Sequence, residues 1–156
     1  MSSWQQRVDE LWRTADLADA GSSVAAMRSL VDELDADDAR GPFELGGMHD
    51  SVGQEAEAAV QYERALALGL DEERTAQLTI QYASTLRNLG RAEEAVALLQ
   101  QMAPHPSVGP AREAFLALAL LSADRGAEAV RVALEALVPH LPRYQRSVAG
   151  YVAELG

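Results

Sequence analysis

The chain has 156 residues, 24 acidic and 13 basic side chains, a formal net charge of −11 and no cysteine. That length suits one domain with its own core, and the missing thiols exclude disulfides and thiolate metal sites. The surplus of acid disfavours nucleic acid, whose phosphates it would repel.

From the N-terminus, MSSWQQRVDELW lacks a basic start followed by an apolar run, so no secretory leader is expected. Trp4, Val8, Leu11, Trp12 and Ala15 recur at helical spacing, and Val24, Met27, Leu30, Val31 and Leu34 form a second stripe. Pro42 suits the first turn of the next helix. Gly21, Gly53, Gly69, Gly90 and Gly126 sit at or near the ends of periodic segments, as left-handed C-caps would. Asp71, just past Gly69, is placed to N-cap the following helix. APHPSVGP (103–110) reads as a loop, because its three prolines remove donors, and VPHLP (138–142) reads as a second break. In RYQRSVAGYVAELG (143–156), Tyr144, Val148, Tyr151, Val152 and Leu155 share a helical face, which predicts a capping helix. No period-two alternation argues for a strand, and the longest apolar runs, such as Phe115–Leu121, are too short to cross a bilayer. The expected class is all-α and soluble, with short links that make consecutive helices antiparallel. A generic helical bundle is the structural alternative.

Three segments then align: GQEAEAAVQYERAL (53–66), GRAEEAVALLQQMA (90–103) and DRGAEAVRVALEAL (124–137). Ala58, Ala95 and Ala129 coincide, 37 and then 34 residues apart, followed by Tyr62, Leu99 and Ala133, and by Ala65, Met102 and Ala136. Upstream helices carry Gly46, Ala83 and Ala117 at matching places. This resembles the tetratricopeptide repeat, a helix–turn–helix unit of 34 residues with Leu-Gly-x-x-Tyr and Ala-x-x-x-Phe. Leu45-Gly46 and Ala58-x-x-x-Tyr62 carry the match, with His49 in place of the Tyr; Leu86, Gly90, Leu116 and Leu120 extend it. The first unit is degenerate, with Thr14 and Glu33 where small residues belong, and no unit has the repeat's Trp or Pro. The wording also resembles short bacterial proteins built almost only of such repeats. The resemblance covers about residues 7–143. It implies a right-handed α-solenoid of about four antiparallel helix pairs within one domain: units at about 7–40, 39–72, 76–109 and 110–143, with the capping helix at about 143–155.

The resemblance further implies a concave face lined by the first helix of each pair. Its register places Arg40, Phe43, Glu44, Gly47 and Asp50 there, then Gln77, Ile80, Gln81, Ser84, Arg87 and Asn88, then Ala111, Ala114, Phe115, Leu118 and Leu121. Gln77, Gln81, Ser84 and Asn88 suit a peptide backbone, and Arg87 suits a carboxylate. Gly46 has a packing role in the repeat. Gly47 has no such reason within the pattern and leaves either a notch for a ligand or relief of a helix–helix contact. Family members that clamp the C-terminal carboxylate of chaperones use a set of Lys, Asn and Arg; lysine is absent here and Gly47 stands where Asn is expected, which leaves only Arg87 and Asn88 as donors, so that mode is not expected.

The expected function is a non-catalytic adaptor or scaffold that binds a protein or peptide, with no cofactor and no metal. No phosphate loop, GxSxG, HExxH or EF-hand pattern occurs. His49, His105 and His140 are far apart in sequence, and His49-Asp50 point about 100° apart on a helix, so they do not share a ligand. Residues 1–73 hold 17 acids and 5 arginines, whereas 74–156 hold 7 acids and 8 arginines. A basic partner would be drawn to the first half, although solvated acidic faces have the same composition. The second reading is a homodimer formed through the N-terminal helices, with Trp4 and Trp12 as anchors. The third is a small-ligand or enzymatic role in a pocket between the inner helices, which His49 held beside Asp50 or Glu44 would favour. An arginine-only basic set with abundant alanine points to a GC-rich, bacterial source, and the expected compartment is the cytoplasm.

Overall fold

The computed structural model describes residues 2–155, and every regular element among them is helical. They are α1 (Trp4–Thr14), α2 (Ala20–Val31), α3 (Arg40–Ser51), α4 (Glu55–Leu68), α5 (Glu72–Asn88), α6 (Ala92–Gln101), α7 (Ala111–Ser122), α8 (Gly126–Leu137), a 3-10 turn (Val138–His140) and α9 (Gln145–Val152). Two compact units are distinguished, Met1–Leu78 and Thr79–Gly156, with the division inside α5. No described helix is long and apolar enough to cross a membrane.

Helix starts follow the side chains available for capping. Ser3 and Gln6 form a capping box at α1: Ser3 Oγ accepts the Gln6 N–H at 3.2 Å and Gln6 Oε1 accepts the Ser3 N–H at 2.8 Å. Asp19 caps α2 through the Ser22 N–H (3.1 Å), and Asp71 caps α5 through the Arg74 N–H (2.9 Å). At α4, α6 and α8 glutamates in the first turn complement the helix dipole instead.

The turns inside the last three helix pairs repeat atom for atom. After α3 the Gly53 N–H donates to Asp50 C=O (3.0 Å) and the Gln54 N–H to His49 C=O (2.8 Å). After α5, Gly90 and Arg91 donate to Arg87 and Leu86; after α7, Asp124 and Arg125 donate to Leu121 and Leu120. Each is a Schellman closure, which needs a left-handed residue at its centre. Gly53 (φ 78°) and Gly90 (φ 79°) supply it without a Cβ, and Asp124 (φ 60°) supplies it as one of the few side chains that tolerate this region. The expectation of C-capping glycines therefore fails at two places. Gly126 opens α8, because Asp124 has taken the left-handed position, and Gly21 lies inside the first turn of α2 behind the Asp19 cap.

In the first unit, Val8, Met27, Leu45 and Met48 are buried together, with Trp4, Leu11, Trp12, Val24, Leu30 and Val31 packed around them. The degenerate first pair is also held by polar links. Trp4 Nε1–H donates to Leu30 C=O (2.8 Å), and Arg7 grips Glu33 with two bonds of 2.7 and 2.6 Å. Glu33, which breaks the small-residue pattern, is thus an exposed ion-pair partner. Between α3 and α4, a Cβ added to Gly46 would lie 2.6 Å from the fully buried Tyr62 ring, so glycine is what lets these helices touch.

In the second unit the aligned residues Ala95, Leu99, Leu116, Leu120 and Ala129 are buried. Ala133 is exposed, because a methyl group cannot reach the space that Tyr62 and Leu99 fill at the equivalent places. The capping helix is shorter than expected. Tyr144 takes a left-handed conformation (φ 68°) at the N-cap, α9 packs through Val148 and Val152, and Leu155 is half-buried just beyond it. Tyr144 and Tyr151, expected on the packed face, are 75% and 69% exposed. VPHLP is not a full break; its first three residues continue as the 3-10 turn.

Candidate functional site

The expected groove residues fall into two contrasting environments. On α3, in the first unit, they are engaged by side chains from α1 and α5. Arg40 binds Asp38 through its guanidinium (Nε–Oδ1 3.0 Å) and lies over the Trp4 ring, 5.1 Å from its centroid. The Arg40 guanidinium holds the Asp38 carboxyl below the usual carboxylate range, and Asp38 in turn raises Arg40. Glu44 is only 7% exposed and accepts the Trp12 Nε1–H at 2.7 Å. Burial pushes the Glu44 carboxyl up from its ordinary range, and the bonds from Trp12 and Gln5 and the nearby Arg74 charge counter this only in part.

Gly47 has a reason that the repeat pattern does not contain. A Cβ there would stand 3.3 Å from the Trp12 ring, so the missing side chain makes room for the indole. Arg74, at the start of α5, reaches Gln5 on α1 (3.2 Å) while pairing with Asp71 (2.8 Å). Phe43 is half-buried. Asp50 is half-buried and accepts the Tyr62 hydroxyl at 3.5 Å, and burial together with the Asp50 charge keeps that phenol protonated. His49 is buried and its Nδ1 lies 2.6 Å from Gln54 Oε1. His49 and Asp50 therefore serve separate contacts.

On α5 the arrangement is open. Ala76, Leu78, Thr79, Ile80, Tyr82, Ala83, Thr85 and Leu86 form the buried side. Ile80, expected to line the groove, belongs to this core, since an isoleucine gains more from burial than from facing water. Gln81 and Asn88 are exposed, and Gln77, Ser84 and Arg87 are half-buried. Gln77 donates to Glu73 (3.5 Å), and the Arg87 guanidinium donates to Asn88 Oδ1 (3.1 Å), which orders both groups. On α7, Ala114, Leu118 and Leu121 recur at i, i+4 and i+7 on the open side; Leu118 is 44% and Leu121 61% exposed. Ala111 and Phe115 are half-buried beside them.

The sequence contained no signal for Trp12 as a partner of Glu44 and Gly47, because the contact spans 32 residues between helices of different pairs. Both tryptophan N–H groups, expected as anchors for a second copy, are donated within the first unit. Among the described residues no group of three His, Asp or Glu side chains is arranged to hold a metal ion.

The helix pairs α3–α4, α5–α6 and α7–α8, joined by the same left-handed closure, define a helical-repeat protein. The family model described as the tetratricopeptide repeat matches residues 39–155, and the chain belongs to that family. Its repeats generally mediate protein–protein interaction. The match begins at the residue before α3, so α1 and α2 lie outside it. A search of curated proteins finds no match.

Proposed function

We propose that this protein is a non-catalytic adaptor that binds a protein or peptide, and that its open contact surface is the polar stripe of α5 formed by Gln77, Gln81, Ser84, Arg87 and Asn88. The observation that carries this reading is the sidedness of α5. Its apolar residues are consumed by the core, and its amide and guanidinium groups stay at the surface on the first helix of a repeat. Amides offer donors and acceptors to a peptide backbone, and a guanidinium offers a two-pronged site for a carboxylate. The exposed Leu118 and Leu121 of α7 offer a separate apolar contact.

The test is capture of binding proteins from cell lysate by wild-type protein beside Arg87→Ala and Gln81→Ala. A partner retained by the wild type and weakened in both variants, with unchanged melting curves, supports the stripe. Equal retention by all three excludes it. Self-association through Trp4 and Trp12 has less support, because both indoles already have partners inside the first unit.

A further inference from the structure

We propose that Trp12 is an internal occupant of the α3 face, an autoinhibitory contact that keeps the acidic face of the first unit closed until a cationic, arginine-like side chain of a partner replaces the indole. This rests on the reading of the first helices as binding surfaces. It goes beyond that reading by assigning the closed face, rather than the open α5 stripe, a ligand chemistry of its own.

Three observations carry it. First, the contact is built on both sides. Gly47 leaves the space and Trp12 fills it, while the indole N–H meets Glu44 at 2.7 Å. Gly46 beside it is explained by Tyr62, but nothing else in the first unit requires a second glycine at 47.

Second, the two tryptophans have different duties. Trp4 and the fully buried Val8 hold α1 to the core, and Trp4 is tied to Leu30 and covered by Arg40. Trp12, half-buried like Trp4 and packed on the same cluster, lies one helical turn beyond Val8 and has its N–H on a side chain, Glu44, instead of on the backbone. Displacing its ring would leave Val8 and Trp4 as the contacts that hold α1 to the core.

Third, the closed state carries a cost. Glu44 is buried with no guanidinium or ammonium bonded to it; the charges that face it are Asp9 from α1 and Arg74 from α5, and Arg74 is already paired with Asp71. A buried carboxylate without a full countercharge favours any rearrangement that hydrates it or brings it a cation.

The indole shows what the notch accepts: a flat group that presents an N–H to Glu44 while its benzo ring lies against Gly47. An arginine guanidinium has that shape and adds the charge that Glu44 lacks. Asp9, whose charge faces Glu44 from α1, adds to the attraction.

The test uses a fluorescein-labelled nona-arginine peptide and fluorescence anisotropy at about 0.15 M salt, where unspecific attraction to the acidic chain is screened. Trp12→Ala is expected to bind the peptide about fivefold or more tightly than wild type, and Trp12→Ala/Glu44→Gln is expected to lose that gain. Equal affinity of wild type and Trp12→Ala, both folded by circular dichroism, overturns the proposal. Should Trp12→Ala fail to fold, Trp4→Phe leaves Trp12 as the sole indole. A red shift of its emission on adding the peptide supports displacement, and binding without a shift overturns it. None of these variants alters α5, so loss of the latch leaves the Arg87 experiment unaffected, and failure of that experiment leaves these results readable.

Discussion

Helices α3 and α7 are both first helices of a pair, both twelve residues long, and they meet the solvent in opposite ways. On α3 seven residues are buried, including Glu44 and His49; on α7 only Leu116, Ala119 and Leu120 are. The difference does not follow from apolar content, since α7 is the more hydrophobic of the two. It follows from neighbours: α3 is covered by Trp12 from α1 and by close contact with Tyr62, whereas Leu118 and Leu121 of α7 are left open within their unit. A helix in this protein is buried by the side chains that reach it, and its own composition is a poor guide.

The largest expected effect breaks the tight side of that comparison. Gly46→Ala places a methyl group within 2.6 Å of the Tyr62 ring, which is locked in the core. Overpacking of this kind costs about 1–3 kcal/mol or more, and a chemical-denaturation curve should show the loss. The same substitution at Gly47, where the neighbour is the half-buried Trp12 ring at 3.3 Å, should cost less, because that ring has room to shift.

Glu44 offers a test by pH. Its carboxyl is raised above 4.5 in the folded chain, mainly by burial. The neutral form is favoured on folding, so its contribution is fully present below pH 4.5 and is lost as pH rises through the folded value. Glu44→Gln should therefore raise the melting temperature at pH 7 and leave it nearly unchanged below pH 4.5. Each unit by which the carboxyl is displaced corresponds to about 1.4 kcal/mol. The Arg-paired carboxylates Asp38 and Asp71 are held low and act in the opposite sense: their contribution is present above about 3.8 and fades as pH falls through their depressed values. Between pH 4 and 7 the aspartate contributions stay in place, so the difference in melting temperature between wild type and Glu44→Gln over that range reports the buried carboxyl alone.

Smaller effects are expected where the repeat departs from itself. Asp124→Gly would give the α7–α8 turn the residue that the equivalent turns have, relieving a left-handed side chain at some loss of chain entropy, for a net gain under about 1 kcal/mol. On the open side, Leu121→Gln should change stability by less than about 0.5 kcal/mol, because the side chain is 61% exposed. A larger loss would mean that α7 is covered after all, and the contrast with α3 would fail.

Much of this was legible in the residues. Helical spacing, the capping residues Asp71 and Pro42, the loop at 103–110 and the register of Ala58, Ala95 and Ala129 are local or periodic signals, and local geometry obeys them. So are the left-handed closures at Gly53 and Gly90, because a missing Cβ is a property of one residue. Asp124 and Gly126 misled for the same reason: the glycine was visible, but the turn had already been made two residues earlier by an aspartate. The groove residues were legible as positions on helices and not as environments. Gln81 and Asn88 stay at the surface, while Glu44 and Ile80 do not, and nothing within their own helices distinguishes them.

The sequence by itself therefore determined the helices, their pairing and the family, because these rest on contacts a few residues apart that recur with a period. Only the tertiary structure decided that Trp12 lies on Gly47 and bonds Glu44, that Arg74 meets Gln5 across 69 residues, and that Tyr144 and Tyr151 face solvent. Such contacts depend on where long side chains from distant segments arrive, and that is set by the packing of whole helices rather than by the spacing along any one of them.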